Sequence, residues 1–244
     1  MTTLTIDAKD FRDLVTPVLP MACKDGMYPV LCAVLVESDG TWLSATATDR
    51  FRGAIKRIKK RATDDDPTTE WPHFRALIPT HAVRSLLTMF KVKARTPSAT
   101  MTLTIEADDA GVERLTAEAV GLFDLFDSAR FVHTLAAGEF PNIRPLIRQA
   151  LETPQDQRSA EVGLNPNLMA DFRSCGAQTL RVILGAPGKV AVVTDDDGFI
   201  GLIMPRRLLA GVGEPTEVED WSPFLADKPE PKPKKASRRK VGAA

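Results

Sequence analysis

The same order of predicted elements recurs three times along the chain, and this internal repeat is the feature that most restricts the fold. Each copy is predicted to contain a strand, a helix and then further strands, over about 50 to 65 residues. A unit of that size cannot bury its own apolar face, so neighbouring units are expected to pack together and extend their sheets. The sequence therefore predicts an α+β fold built from repeated βαβββ units.

Local signals place the helices within the repeats. In the first copy, Asp7 can cap a helix over residues 8–19. In the second, Pro79 precedes a helix that runs to about Phe90 with an apolar face. In the third, a strand over residues 160–164 is expected to precede a helix capped by Asn165, which runs to about residue 175.

These signals predict three regions. Residues 1–146 are expected to form a domain of two repeats, covering about 1–62 and 72–146, and residues 147–210 a third, single repeat. The segment between the second and third repeats is too short to hold a fourth one. Residues 211–244 change to Gly, Pro and acidic residues and then to a basic run, which is typical of a disordered tail.

The distribution of charge limits the kinds of partner. The 244 residues carry 32 basic and 32 acidic side chains, but residues 228–240 hold seven basic residues and one acidic residue. Residues 1–227 therefore carry 25 basic and 31 acidic side chains, a net charge of −6. An acidic body does not favour tight wrapping of DNA phosphates, so any contact with DNA should be local or topological. The basic run could add non-specific DNA affinity or serve as a solubilising end.

Motifs for metal binding, cofactor binding and export are not recognisable in the sequence. Cys23, Cys32 and Cys175 have no spacing typical of zinc ligands or of a disulfide framework. The N-terminus has no signal-peptide pattern, and no apolar run approaches the length of a membrane span. We expect a cytoplasmic protein without a cofactor.

Five short stretches follow one another along the chain: VESDG at 36–40, LSATATDRFR at 43–52, GEFPNIR at 138–144, LNPNLMAD at 164–171 and LIMPRRL at 202–208. Together they resemble segments of the bacterial DNA polymerase III beta subunit, the sliding clamp, in the same order. This resemblance implies a clamp fold with helices lining a ring and sheets outside. It also implies a non-enzymatic role: encircling double-stranded DNA and tethering DNA polymerase after loading by a clamp loader.

The resemblance also implies two sets of site residues. Clamps receive short linear peptides in an apolar pocket, which maps onto Leu31, Thr48, Arg50, Phe51, Arg52, Pro141, Leu146, Leu202, Met204, Pro205 and Arg206. The helices of a clamp face DNA, and their candidate basic residues here are Lys9, Arg12, Arg84, Lys91, Lys93 and Arg173.

Four positions depart from the family pattern at the pocket. Gly53 stands in place of Leu, Arg50 of Gly, Ile143 of Tyr and Arg206 of Met. These changes predict a shallower, more basic pocket that prefers peptides with acidic flanks.

The number of repeats leaves the assembly open. Rings of this family contain twelve such units, so four chains of three repeats would complete one by arithmetic. A smaller ring, an open oligomer and a monomer remain alternatives. The short chain suggests a phage or mobile element as its source.

Other functions remain possible from the sequence. Asp64–Asp66 and Asp195–Asp197 could bind the metal of a nuclease, although each set lies in a predicted turn. A clamp-derived protein could bind replication peptides without encircling DNA. The basic run at 56–61 has the composition of a nucleic-acid patch, and it is also typical of a charged edge strand and loop.

Overall fold

The computed structural model describes residues 1–60, 70–90, 99–120, 128–195, 197–206, 209–210 and 214–215. Residues 1–207 form one compact unit, and residues 208–244 form a second. In the second unit, Leu209–Ala210 pairs antiparallel with Glu214–Pro215. The rest of the predicted tail lies outside the described residues.

The first unit contains eleven strands and four α-helices within its described residues. The strands are β1 (Thr2–Asp7), β2 (Ala33–Ser38), β3 (Trp42–Thr48), β4 (Arg52–Lys59), β5 (Phe74–Pro79), β6 (Thr100–Ala107), β7 (Glu113–Val120), β8 (Ser128–Thr134), β9 (Arg181–Leu184), β10 (Ala191–Thr194) and β11 (Phe199–Ile203). The helices are α1 (Ala8–Val15), α2 (Thr80–Met89), α3 (Arg144–Glu152) and α4 (Pro166–Ala170). None of these described helices combines the length and the apolar character that crossing a bilayer requires.

The strands of this unit form two antiparallel sheets. One has the order β1-β6-β7-β8 and the other the order β5-β2-β3-β4-β11-β10-β9. The first two repeats exchange their first strands, because β1 pairs with β6 and β5 pairs with β2. The third repeat joins through β11, which pairs with β4. The basic run at 56–59 therefore lies on an interior strand, so its interpretation as an edge strand is wrong.

The seven-stranded sheet is buried on both faces. One face contributes to a main core that also includes side chains of the four-stranded sheet, of α1 and α2, and of Phe172. Successive residues of a strand point to opposite faces of the sheet. Val34 and Val36 of β2 therefore lie in this main core, whereas Ala33 and Leu35 lie on the opposite face.

Residues 136–152 lie across that other face, and we call them the covering segment. The segment starts where the backbone N–H of Ala136 donates to the carbonyl of Leu77 at 2.9 Å. Its Phe140 packs against Leu35 and Leu77. Ile143 and the following helix α3 then cover residues of β4, β10 and β11 and of the turn before β10. The two sets in this cluster are Ile143, Ile147 and Ala150 with Ile55, Val190, Val192 and Leu202.

The helix caps predicted for the first and third repeats are confirmed. The Asp7 carboxylate accepts the backbone N–H of Lys9 at 2.7 Å, and the Asn165 side chain accepts that of Asn167 at 3.0 Å. α1 nevertheless ends at Val15, two residues before Pro17, whose ring nitrogen has no hydrogen to donate to a helix.

The third repeat differs most from its prediction. Within residues 160–164, which were predicted to form a strand, Gly163 makes an isolated bridge to Arg206. The helix predicted after Asn165 is divided into α4 and a 3-10 helix over Asp171–Cys175, which ends at Gly176 in the left-handed region, φ 77°. The helix α3 lies where no element was predicted.

Candidate peptide-binding surface

The turn between β3 and β4 holds four of the predicted pocket residues. Its geometry is set by Asp49, whose Oδ1 accepts the backbone N–H groups of Phe51 and Arg52 at 3.0 and 2.9 Å. The hydroxyl of Thr48 donates to the carbonyl of Arg52 at 2.7 Å. Arg50 adopts φ 78°, a conformation that costs a non-glycine residue on the order of 1 kcal/mol. The turn leaves the side chain of Phe51 57% exposed.

Arg52 is buried, and its guanidinium is bound on several sides. Nε donates to Asp49 Oδ2 at 3.1 Å, and Nη2 donates to the carbonyl of Pro20 at 3.0 Å. Nη1 donates to the carboxylate of Asp171 and to the carbonyl of Leu168. Arg52 therefore joins the turn to the third repeat, which is a structural role and not that of an exposed peptide ligand.

The pairing of β4 with β11 brings the end of β11 beside this turn. Leu202 lies opposite Gly53, and the backbone N–H of Met204 donates to the carbonyl of Phe51 at 2.7 Å. Met204 is 39% exposed. Phe51 and Met204 thus form an exposed apolar pair at the junction of the first and third repeats.

The covering segment fills the space above Leu202. Leu202 is 2% exposed and belongs to the cluster that includes Ile143 and Ile147. A Cβ atom on Gly53 would lie 3.0 Å from Ile143 Cδ1, so the missing side chain at position 53 makes room for Ile143. The sequence identified both residues as departures from the family but gave no sign that they compensate for each other.

Two predicted pocket residues lie on the covering segment itself. Pro141 is exposed and lies between the buried residues Phe140 and Ile143. Leu146 is 44% exposed and lines a cavity of about 420 Å³ on the outer side of α3. Pro141 and Leu146 therefore lie on the exposed side of this segment, whereas Leu202 lies beneath it.

Leu31 lies in the loop that precedes β2. It is buried, and its carbonyl accepts the backbone N–H of Cys23 at 2.9 Å. The loop contacts the β3–β4 turn through Tyr28, whose ring lies 4.1 Å below the guanidinium carbon of Arg50. In the same loop, burial raises the pKa of the Cys32 thiol, and the neighbouring Cys23 and Asp25 raise it further.

The predicted pocket residues thus divide by exposure. The buried ones are Leu31, Thr48, Arg52 and Leu202. The exposed or half-buried ones are Arg50, Phe51, Pro141, Leu146, Met204, Pro205 and Arg206. The second group is accessible to a ligand, whereas the first group is not.

The described residues of the predicted DNA-facing set lie on helices that pack on the main core. Lys9, Arg84 and Arg173 are exposed, and Arg12 is half-buried. The helix that carries Arg173 is tied to the end of α1, because the hydroxyl of Ser174 donates to the carbonyl of Pro17 at 2.6 Å. Lys91 and Lys93 lie outside the described residues.

A second surface, which sequence reasoning missed, lies at the opposite end of β3 and β4. The guanidinium of Arg57 and the ammonium of Lys59 lie 4.1 and 4.8 Å from the ring centre of Trp42. Two cavities of about 860 and 830 Å³ share Trp42, Arg57 and Gly198 in their walls. The backbone N–H of Arg57 donates to the carbonyl of Gly198 at 2.9 Å, which brings the β10–β11 turn beside this surface, and these residues are too far apart in the sequence for a local pattern to predict the contact.

The acidic turn after β10 is organised by its own carboxylate. Asp195 Oδ1 accepts the backbone N–H groups of Asp197 and Phe199 at 2.6 and 3.0 Å, and Oδ2 lies 3.6 Å from Lys56 Nζ. Over the described ranges, His, Cys, Asp and Glu side chains form no group of three or more that could hold a metal ion. Asp64–Asp66 and Asp196 lie outside those ranges.

Comparison with solved structures places the fold among the sliding clamps. Two crystal structures of the DNA polymerase sliding clamp of Pseudomonas aeruginosa, one of them with a ligand, superpose with TM-scores of 0.61 and 0.58 at 17% identity. They cover 85% of this chain and 66% and 67% of the solved chains. The chain therefore has the α+β clamp fold of a DNA sliding clamp.

Comparison of sequences points to the bacterial beta clamps in particular. The beta sliding clamp of Micrococcus luteus is 33% identical over 153 residues, which are 60% of this chain and 41% of that protein. The resemblance to the DNA polymerase III beta subunit predicted from the sequence is thus confirmed, and the chain spans less than half the length of this relative. No protein-family model matches the chain.

Proposed function

We propose that the chain is a DNA sliding clamp subunit, a processivity factor that encircles duplex DNA and tethers DNA polymerase without catalysing a reaction. One observation carries the proposal. In a chain with the clamp fold, the exposed residues Phe51 and Met204 are joined by a backbone hydrogen bond where the resemblance implies a peptide pocket. Polymerase and clamp loader would bind there through short linear peptides, in a bacterial or phage-infected cytoplasm.

Encirclement requires self-association, and each of the two sheets of the first unit has an edge strand at either end. The strands of these sheets with a single neighbour among the described strands are β1, β5, β8 and β9. Unpaired strand edges present backbone donors and acceptors to other chains. Four chains would supply the twelve repeats of a clamp ring.

A second candidate is a clamp-derived protein that binds replication peptides without encircling DNA. The observation in its favour is the acidic body, because residues 1–227 carry a net charge of −6, which does not favour contact with many DNA phosphates. The two candidates share the peptide surface and differ in their dependence on DNA topology.

Retention on linear DNA with blocked ends separates the two candidates. The protein is allowed to thread onto bead-bound duplex DNA through its free end, which is then either blocked with streptavidin or left open. A ring should remain on the blocked DNA in high salt and leave the open DNA, because salt weakens phosphate contacts but not encirclement. Equal loss from both DNAs would support the interaction protein.

Peptide binding is tested with two methionines of equal exposure. The probe is a fluorescein-labelled peptide with a Leu-Phe anchor and acidic flanks, compared with the same anchor in neutral flanks. Met204→Ala should weaken binding about fivefold, as expected when an interface side chain that contributes about 1 kcal/mol is removed. Met89→Ala, on α2, is the control because Met89 is also 39% exposed. Equal binding by both variants, or no preference for acidic flanks, would contradict the proposed pocket.

A further inference from the structure

Two of the three cysteines share a hydrogen-bond partner in the loop that precedes β2. The sulfur of Cys23 accepts the backbone N–H of Asp25 at 3.4 Å and lies 3.8 Å from the carbonyl oxygen of Asp25. The thiol of Cys32 donates to the same carbonyl at 3.1 Å. Two sulfur atoms are thus directed at one oxygen atom.

Backbone hydrogen bonds hold the ends of this loop together. The N–H of Cys23 donates to the carbonyl of Leu31 at 2.9 Å, and the N–H of Cys32 donates to the carbonyl of Tyr28 at 3.1 Å. The carbonyl of Cys32 accepts the N–H of Thr80, the first residue of α2, at 2.9 Å. Both cysteines are half-buried, so a small oxidant can reach them. A disulfide between them would close a loop whose ends already lie side by side.

The surroundings of Cys32 keep its thiol protonated at neutral pH. Burial raises the pKa of this thiol, and the charge of Cys23 and a side-chain hydrogen bond with Cys23 raise the pKa further. A protonated thiol agrees with the hydrogen bond that Cys32 donates to the carbonyl of Asp25. The contact between the two cysteine side chains also brings their sulfur atoms close to each other. Where disulfides form in reducing compartments, they are usually transient and serve catalysis or redox sensing.

We infer that Cys23 and Cys32 form a modification site, a thiol pair that a peroxide converts to a disulfide. One sulfur, as the thiolate, attacks a peroxide oxygen and breaks the O–O bond, which gives a sulfenic acid and releases hydroxide. The hydroxide takes up the thiol proton and becomes water. The second sulfur displaces the sulfenic oxygen as another water molecule and forms the S–S bond. Two thiols and one hydrogen peroxide therefore give one disulfide and two water molecules, and two electrons pass from sulfur to oxygen.

The disulfide would also affect the candidate peptide-binding surface, and this consequence rests on the proposed function. The loop carries Leu31, and the ring of Tyr28 lies against the guanidinium of Arg50. Closing the loop removes conformational freedom that a bound peptide would otherwise have to restrict. The oxidised protein should therefore bind the labelled acidic-flanked peptide more tightly, by about twofold or more.

Mass spectrometry of the full chain identifies the bond without DNA or peptide ligand. After mild treatment with hydrogen peroxide and blocking of the remaining thiols, trypsin places Cys23, Cys32 and Cys175 on the separate peptides 13–24, 25–50 and 174–181. Peptides 13–24 and 25–50 should be joined with the loss of two hydrogen atoms, whereas peptide 174–181 should carry the blocking group. The joined pair should be absent from Cys23→Ser and from Cys32→Ser.

Cys175→Ser is the matched control, because it removes a thiol and keeps the pair. It should form the 23–32 link, and its affinity for the peptide should respond to peroxide as that of the unaltered chain does, whereas Cys32→Ser should not respond. Links from Cys175 in place of the 23–32 link, or further oxidation of the pair to sulfinic acid without a link, would overturn the inference.

Peptide binding separates the modification site from its consequence. A 23–32 link with unchanged affinity for the peptide would reject the effect on the surface. A chain that forms the link and binds no peptide in either state would reject the proposed pocket and leave the modification site standing.

Discussion

Arg52 is a charged side chain at 4% exposure in the junction between the first and third repeats. Its two ion pairs and its two hydrogen bonds to carbonyl groups replace the hydrogen bonds to water that the guanidinium loses on burial. Arg52→Met should lower the free energy of unfolding by about 3 kcal/mol, because it leaves buried partners of the guanidinium without a donor. Arg52→Lys should not restore stability, since a point-charge ammonium cannot reproduce the planar fork.

Urea unfolding of these variants measures the effect. Arg75→Met is the control, because Arg75 is largely exposed and lies 3.8 Å from Glu37, where an ion pair contributes less than about 1 kcal/mol. Equal losses for Arg52→Met and Arg75→Met would contradict the structural role given to Arg52.

Gly53 and Ile143 should be coupled in stability. Gly53→Leu introduces a side chain where Ile143 Cδ1 and Thr48 already lie, and overpacking of this kind costs about 1–3 kcal/mol. In the double variant with Ile143→Ala, the added side chain can occupy the vacated space. The double variant should therefore lose less free energy of unfolding than the sum of the two single losses, as measured by a double-mutant cycle. Additive losses would show that the two positions do not share one space.

At the scale of elements, the sequence predicted what is local and missed what is distant. The helix caps at Asp7 and Asn165 were predicted correctly, because a cap depends on one side chain and the backbone of the next two or three residues. The interior position of β4 was missed, because its pairing with β11 joins residues that are more than a hundred positions apart. The positions of the pocket residues were predicted from the resemblance to the clamp family. The position of the covering segment could not be predicted, because it depends on contacts of Ile143 and Ile147 with Leu202, which lies far away in the sequence.

The helix α3 provides a paired test of the covering segment, because two adjacent residues differ in burial. Ile147 is 5% exposed and Leu146 is 44% exposed. Ile147→Ala should lower the free energy of unfolding by about 3 kcal/mol, the cost of a cavity at a buried residue, and Leu146→Ala should cost clearly less. Leu146→Ala should instead weaken binding of the acidic-flanked peptide, measured by fluorescence polarisation. The reverse pattern would mean that α3 is turned the other way on the sheet.

For the whole molecule, the distribution of charge predicts that contact with DNA phosphates and encirclement of DNA depend on different parts of the chain. Residues 1–227 carry a net charge of −6, and the exposed members of the predicted DNA-facing set within the described residues are Lys9, Arg84 and Arg173. Such a body should hold duplex DNA weakly, with a small dependence of affinity on salt. Any strong salt dependence should then come from the basic run at 228–240.

Removal of residues 228–244 tests whether the basic run is the source of salt-dependent affinity for DNA. The deletion takes away seven basic side chains and one acidic side chain, so affinity for open linear DNA at low salt should fall. The slope of log affinity against log salt should also become shallower, by about 0.9 for each phosphate that the protein no longer neutralises. Retention on end-blocked DNA should not change if the body encircles the duplex, because a topological link does not depend on the number of phosphates neutralised.

A variant with the seven basic residues replaced by Gln keeps the length of the tail and should behave like the deletion. An unchanged salt dependence in both variants would assign the basic run to solubility instead of DNA binding.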